Sequence, residues 1–397
     1  MKENTLFKKV YEEIAYKQER LKQGKINAIP YPFAKLSKVL PGIVPEQFVG
    51  LTTVSGAGKT LVTNALYIQG PFDYWQMYGA SKGFDIKIFF FPLEDSVIMT
   101  QKRMMIKALY TKMGIRLPMF RINGFMEGDI MDDRTMRALA GLESYFEEFL
   151  KKVEMIDDVT NPYGIYKRVE DWLLKPENGY IVDEHGTKLN PREVKEAHEA
   201  FKPTFYKRTN EDRIDIVVID NMNNITEEGD MGKWESIDKL CRTYIRKKLV
   251  GFYKCSVMLI CQQDKTKEKA QYTNSGTIVE DKFVPSLDSI SVYKNIDTSV
   301  HLMFGLFDPS RYKIPQWNAG GGYYDIERFD AYYRNLSILK SNFAQVGTNT
   351  SFFFDGATGN VEELPSAYDK EALEPWYEKA EKLQLDHLGI KPLNVSS

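Results

Sequence analysis

The segment Ser55-Gly56-Ala57-Gly58-Lys59-Thr60 limits the folds open to this chain more than any other. A largely apolar run, Phe48 to Val54, precedes it. Thr60 to Gln69 follows, with Leu61, Val62, Ala65, Leu66 and Ile68 at helical spacing. Strand, glycine-rich loop and helix in that order bring several backbone N–H groups and a helix N-terminus to one anion. Lys59 can reach terminal phosphates, and the Thr60 hydroxyl suits magnesium. The pattern departs from GxxxxGK[ST] at one place, where Thr53 stands for the first glycine. Gly56 and Gly58 still permit the tight turn.

Further strands and helices alternate along the chain. Asp85 to Phe91 is a buried strand and Ser96 to Met113 a helix; Val153 to Ile156 is a short strand. Thr160-Asn161-Pro162 is an N-cap with proline near the start of a helix, Tyr163 to Leu174. Ile214 to Ile219 and Ser256 to Cys261 are near-continuous apolar strands, and Val300 to Phe307, Leu336 to Leu339 and Thr350 to Phe354 add three more. The alternation predicts an α/β fold with a mostly parallel twisted sheet flanked by helices. Residues 175–210, with Pro176, Gly179, Gly186, Pro191 and Pro203 and one charged helical stretch near Arg192 to Ala200, are expected to form a surface insertion.

Open α/β sheets place their ligands at the carboxyl ends of strands, and three polar residues stand there. Asp220 ends Ile214-Asp215-Ile216-Val217-Val218-Ile219 and is placed to hold a magnesium shell. Glu94, after Phe91-Pro92-Leu93, is a candidate to polarise an attacking water, with Asp95 as its rival; acidic residues at a helix start also simply complement its dipole. Gln262, after Ser256 to Cys261, is a candidate phosphate sensor or a solvated strand end. Beyond it Lys265, Lys267 and Lys269 alternate with acids, in a loop that either meets a nucleic-acid phosphate or is ordinary solvated surface.

Composition narrows the classes of function. Of 397 residues 43% are hydrophobic and 27% charged, an ordinary globular mixture, and no apolar stretch has the length of a membrane span. With no secretory leader pattern, a cytoplasmic location is expected. A formal charge of −2 means that nucleic-acid binding would need a local basic channel. Cys241, Cys255 and Cys261 are expected to be reduced core thiols, and the four histidines are too dispersed for a metal site. Residues 5–23 form a charged amphipathic helix, and Glu371 to Leu383 a terminal one.

With these parts in order, residues 1–365 resemble the DnaB family of bacterial and phage replicative DNA helicases, RecA-like ATPases that act as hexameric rings. The likeness is carried by Ile88 to Ser96 (IFFFPLEDS), by IDIVVIDNMNNI around Asp220, by VMLICQQ around Gln262 and by Ser291-Val292-Tyr293-Lys294-Asn295-Ile296-Asp297. It also rests on Ile338 to Thr348, similar to the family's KNRNGxxGT segment. The resemblance implies ATP and Mg²⁺ as cofactors, single-stranded DNA as a partner, self-assembly into a ring, and a primase or loader as a further partner. Ser55 to Thr60 and Asp220 would then bind the nucleotide, Thr60 and Asp220 would hold Mg²⁺, and Glu94 would activate water. Gln262 would sense the phosphate, and Lys340 would act on a neighbouring subunit's ATP.

The implied organisation is a linker-type helix over residues 1–25, a RecA-like ATPase domain over 26–365 and a C-terminal helix and tail over 366–397. The family's primase-interacting domain has no counterpart in these residues. Two departures stand out. Asn342 occupies the place of the family's arginine finger, and Leu287-Asp288 replaces an Arg-Glu pair in the DNA-contacting region. Arg334 lies six residues from Lys340, ~20 Å along an extended strand, and is no easy substitute. A nucleotide-binding assembly or loader protein with weak or no helicase activity is the alternative; a recombinase or clock-type RecA relative is a third.

Overall fold

The computed structural model describes residues 3–264, 283–319 and 322–387. In chain order the strands are β1 (Gln47–Thr53), β2 (Asp85–Pro92), β3 (Val153–Met155), β4 (Gly179–Asp183), β5 (Lys188–Leu189), β6 (Thr204–Arg208), β7 (Arg213–Asp220), β8 (Ser256–Gln262), β9 (Leu302–Phe307), β10 (Gln316–Asn318), β11 (Tyr323–Asp325), β12 (Tyr333–Ser341), β13 (Asn349–Asp355) and β14 (Asn360–Glu363). Nine of these build one sheet in the order β14-β13-β12-β9-β1-β8-β7-β2-β3. From β9 to β3 every pairing is parallel, while β12, β13 and β14 extend the sheet antiparallel. The fold is therefore α/β with a mostly parallel sheet.

Side chains alternate between the two faces of the strands, and each face has its own core. Val49, Leu51, Ile88, Phe90, Ile216, Val218, Met258 and Phe304 face the helices Val97–Met113 and Glu143–Lys152. Phe48, Phe89, Phe91, Val217, Ile219, Val257 and Leu259 face the helix Pro162–Leu173 and the helical segment 233–252. Burial on both faces is why these strands read as unbroken apolar runs rather than alternating ones. Cys241, Cys255 and Cys261 are free and buried within the second core, where burial holds all three thiols above their ordinary range.

The helix after the phosphate loop runs on past Gln69, its expected end, and through Gly70-Pro71. Residues 59–82 are helical throughout, with a π-helical stretch at Asn64–Ile68. Pro71 has no N–H, and the widened turn leaves backbone groups to be satisfied otherwise. Asn64 does so: its Oδ1 accepts from the Gln69 backbone N–H at 3.2 Å and its Nδ2 donates to Gln69 Oε1 at 2.7 Å.

Three peripheral units surround this core. Residues 175–210 hold a small antiparallel sheet, β5-β4-β6, and the helix Pro191–Glu199, whose Asn190 N-cap and Glu193 form a capping box. The helix Glu3–Lys22 is anchored at its end by Arg20, which is paired with Asp212 and donates to the carbonyls of Ile26 and Gly83. Phe7, Val10, Tyr11, Ile14 and Leu21 on it stay exposed. The helix Lys370–His387 packs Leu373, Tyr377 and Ala380 against Phe329, Tyr333 and Phe353.

Candidate nucleotide site

The loop between β1 and the helix beginning at Lys59 turns on two glycines in the left-handed region, Gly56 at φ 79° and Gly58 at φ 96°. Gly58 also has no room for a side chain: a Cβ there would lie 2.3 Å from the Phe354 ring. Two arginines hold the loop from behind. Arg311 donates to the Ser55 carbonyl, and Arg334 Nε donates to the Ala57 carbonyl at 2.8 Å. In front lies a cleft of about 370 Å³, lined by Ser55, Gly56, Gly58 to Leu61, Glu94, Asp95, Arg103 and the turn at Gly356, Ala357 and Gly359.

Five side chains meet at and just beneath the floor of this cleft. Thr60 Oγ1 donates to Asp220 Oδ2 at 2.7 Å, and the buried Lys59 ammonium is paired with Glu94. Asn221 Nδ2 donates to Glu94 Oε2 at 2.9 Å. Asp220 is 2% exposed and its Oδ1 has no hydrogen-bond partner, so one carboxylate oxygen is left for a ligand. Burial raises the Asp220 carboxyl above its usual range, against the pull of Lys59 and Thr60. A hydroxyl, a carboxylate with a spare oxygen and a nearby lysine fit a hydrated Mg²⁺ carried in on phosphate oxygens.

Glu94 reaches Lys59 from a distant strand. β8 and β7 lie between β1 and β2, so the strand carrying Glu94 does not flank the phosphate loop. Two residues of chain beyond Pro92 and the length of both side chains span the gap. Asp95 also lines the cleft but is engaged in an ion pair with Arg103, nearly two turns into the next helix. Gln262 ends β8 directly beside Thr53 of β1. Its Oε1 accepts from Asn223 Nδ2 at 3.0 Å, its backbone carbonyl accepts from Ser291 N at 2.8 Å, and Asn223 Nδ2 also reaches Ser291 Oγ at 3.3 Å. The loop lysines Lys265, Lys267 and Lys269 lie outside the described residues.

No protein-family model matches the sequence, and no curated protein matches it significantly. Solved structures do. One that is described as an ATPase domain superposes at a TM-score of 0.59 with 15% identity, over 91% of this chain and 98% of that one. A structure of a DnaB-like replicative helicase, described with its interactions with primase, superposes at 0.56 with 14% identity over 91% of this chain and 67% of that one. The chain has the DnaB-type helicase ATPase fold.

Within this DnaB-type fold Lys340 stands apart from the cleft. In register it faces Met303 on β9, which pairs with Gly50, so it lies three residues short of the β1 end that bears the loop. Its ammonium is held by the carbonyls of Asp297 and, at 3.0 Å, Val300. Asn342 is exposed just beyond, its backbone N–H on the His301 carbonyl at 2.9 Å. Arg334, at the other end of β12, lies under its own chain's phosphate loop.

Four neighbours of this cleft were not assigned to it from the sequence, Arg334 having been weighed only as a substitute finger. Asn221 was within reach of such a reading, standing next to Asp220 at a strand end. Arg311, Arg334 and Phe354 were not, because each contacts the loop across more than 250 residues and nothing local marks them.

Proposed function

We propose that this chain is an ATP-driven helicase motor that works on single-stranded DNA as a homo-oligomeric ring in a cytoplasm. The observation that carries the reading is the meeting of Lys59, Thr60 and Glu94 in one cleft beneath a glycine loop, with the buried Asp220 joined to it through Thr60. Backbone N–H groups of residues 56–60 cradle the phosphates and Lys59 neutralises them. Thr60 and Asp220 hold the metal shell. Bound Mg²⁺ supplies charge neutralisation on the phosphate oxygens.

Glu94 is the base. Incoming phosphate takes over Lys59, and the released carboxylate, still oriented by Asn221, accepts a proton from the attacking water. Gln262 reports the state of the phosphate to Asn223 and Ser291, and so to the chain that leads toward Lys265. Lys340, unable to serve its own cleft, acts on a neighbour's.

Ring assembly is supported by two unpartnered apolar surfaces. One is the exposed face of the helix Glu3–Lys22; the other is the group Phe120, Phe125, Met126 and Ile130 between the helices Met119–Asn123 and Asp133–Ala140. A primase or loader partner is proposed from the likeness to the DnaB-like helicase alone.

A second reading has its own observation. Asn342 brings no cation to the segment beside Lys340, and Lys340 is tied to its own chain. On that reading the chain binds nucleotide in order to assemble or load and turns it over slowly. The test compares ATPase rates with and without single-stranded DNA, at concentrations where the chain assembles, for wild type and Asn342→Arg. DNA-stimulated turnover supports the motor. Nucleotide binding with no stimulated turnover, relieved by Asn342→Arg, supports the second reading; no nucleotide binding overturns both.

A further inference from the structure

The two arginines behind the phosphate loop hold alternate carbonyls, those of Ser55 and Ala57. In a planar trans peptide the C=O and the following N–H point in opposite directions. Fixing the Ser55 and Ala57 oxygens at the back therefore turns the N–H groups of Gly56 and Gly58 to the front, where the cleft lies.

Arg334 is fixed on several sides. Its guanidinium is buried; Nη1 donates to the carbonyls of Tyr333 (2.6 Å) and Ala331 (3.0 Å), and Nη2 meets Asp308 Oδ2 at 2.9 Å. Its flat face lies over the Phe354 ring at 4.4 Å, and that ring fills the space beside Gly58. A planar fork with fixed donor directions satisfies all of these at once, which an ammonium cannot. Arg311, itself exposed, completes the arrangement from the turn Ser310–Tyr312.

We infer that Arg334 and Arg311 are positioning residues that preorganise the phosphate loop by pinning its carbonyls, so that its amides converge on the nucleotide phosphates before any ligand arrives. The inference rests on the nucleotide-binding reading above and adds to it a device outside the loop sequence.

The test measures ADP affinity by calorimetry, with thermal melting alongside. Arg334→Lys keeps a cation against Asp308 but leaves loop and strand carbonyls without their donors, so it is expected to melt below wild type and, where folded, to bind ADP at least tenfold more weakly. Arg311→Ala, at an exposed position, is expected to leave melting unchanged and weaken ADP severalfold. If Arg334→Lys fails to fold, Arg311→Ala alone decides. Wild-type affinity for ADP in the folded variants overturns this inference and leaves the proposed function standing. A wild-type chain that does not bind ADP overturns the nucleotide reading itself.

Discussion

The Lys59 ammonium and the Glu94 carboxylate are ion-paired across the floor of the cleft, although their strands are separated by two others in the sheet. In this state the candidate base is neutralised by the candidate phosphate ligand. On the proposed function, nucleotide phosphate would compete with Glu94 for Lys59 and free the carboxylate when it binds.

Glu94→Gln separates the two roles with opposite signs. Removing the competing charge should tighten ATP binding by about threefold to tenfold, since the partly exposed pair is worth roughly 1 kcal/mol. Hydrolysis should fall by about 10²–10⁴, the usual contribution of a positioned base. Equilibrium binding and single-turnover hydrolysis check the two effects; a variant that hydrolyses as wild type removes Glu94 from the chemistry.

Gly58→Ala tests the tightness of the loop. The backbone there is at φ 96° and the added methyl would meet the Phe354 ring. Strain of about 1–3 kcal/mol is expected from the backbone alone, read as a lower melting temperature and weaker ADP binding. Adding Phe354→Leu should relieve the contact but not the backbone strain, so recovery should be partial.

How much of this was legible beforehand follows from where the information lies. The loop, its flanking strand and helix, and the apolar strands ending at Asp220 and Gln262 are encoded in consecutive residues, so pattern and period reveal them. The continuation of the helix through Gly70-Pro71 was hidden because Gly and Pro locally signal a helix end, whereas here the helix is carried past them by a π-helical widening at Asn64–Ile68. The order of strands was hidden for a related reason: alternation predicts parallel pairing but does not say that β7 and β8 insert between β1 and β2. The backing of the loop by Arg334 was least visible, since it depends on a long-range antiparallel addition to the sheet. Residues 114–152 carried no reading at all and fold as short helices, including Met119–Asn123, Asp133–Ala140 and Glu143–Lys152.

Asn223 links Gln262 to Ser291. If phosphate sensing passes along this route, Asn223→Ala lowers the ratio of DNA-stimulated to basal ATPase toward one, whatever the basal rate. A ratio equal to that of wild type would place the coupling elsewhere. Steady-state rates across a titration of single-stranded DNA give the answer.

Lys107 is nine-tenths buried against the cleft-lining turn, with its Cβ facing Gly359, and burial lowers its amine from the ordinary 10.5 to about 8, partly offset by Asp73. Between those two values the unfolded chain holds the proton more tightly than the folded one, so stability rises with pH over that window. Lys107→Met should therefore be more stable than wild type at pH 7, by up to about 3 kcal/mol. The advantage should shrink as pH rises through about 8 toward 10.5. Denaturant unfolding at several pH values measures it, and a constant difference across that range would contradict the assignment.

The central claim is that the cleft of Lys59, Thr60, Glu94 and Asp220 turns over ATP in response to DNA. The most direct measurement is the steady-state release of phosphate by the wild-type chain with Mg²⁺, with and without single-stranded DNA. The account predicts measurable turnover that rises severalfold with DNA. Tight ADP binding with no turnover in either condition, at concentrations where the chain assembles, would contradict it.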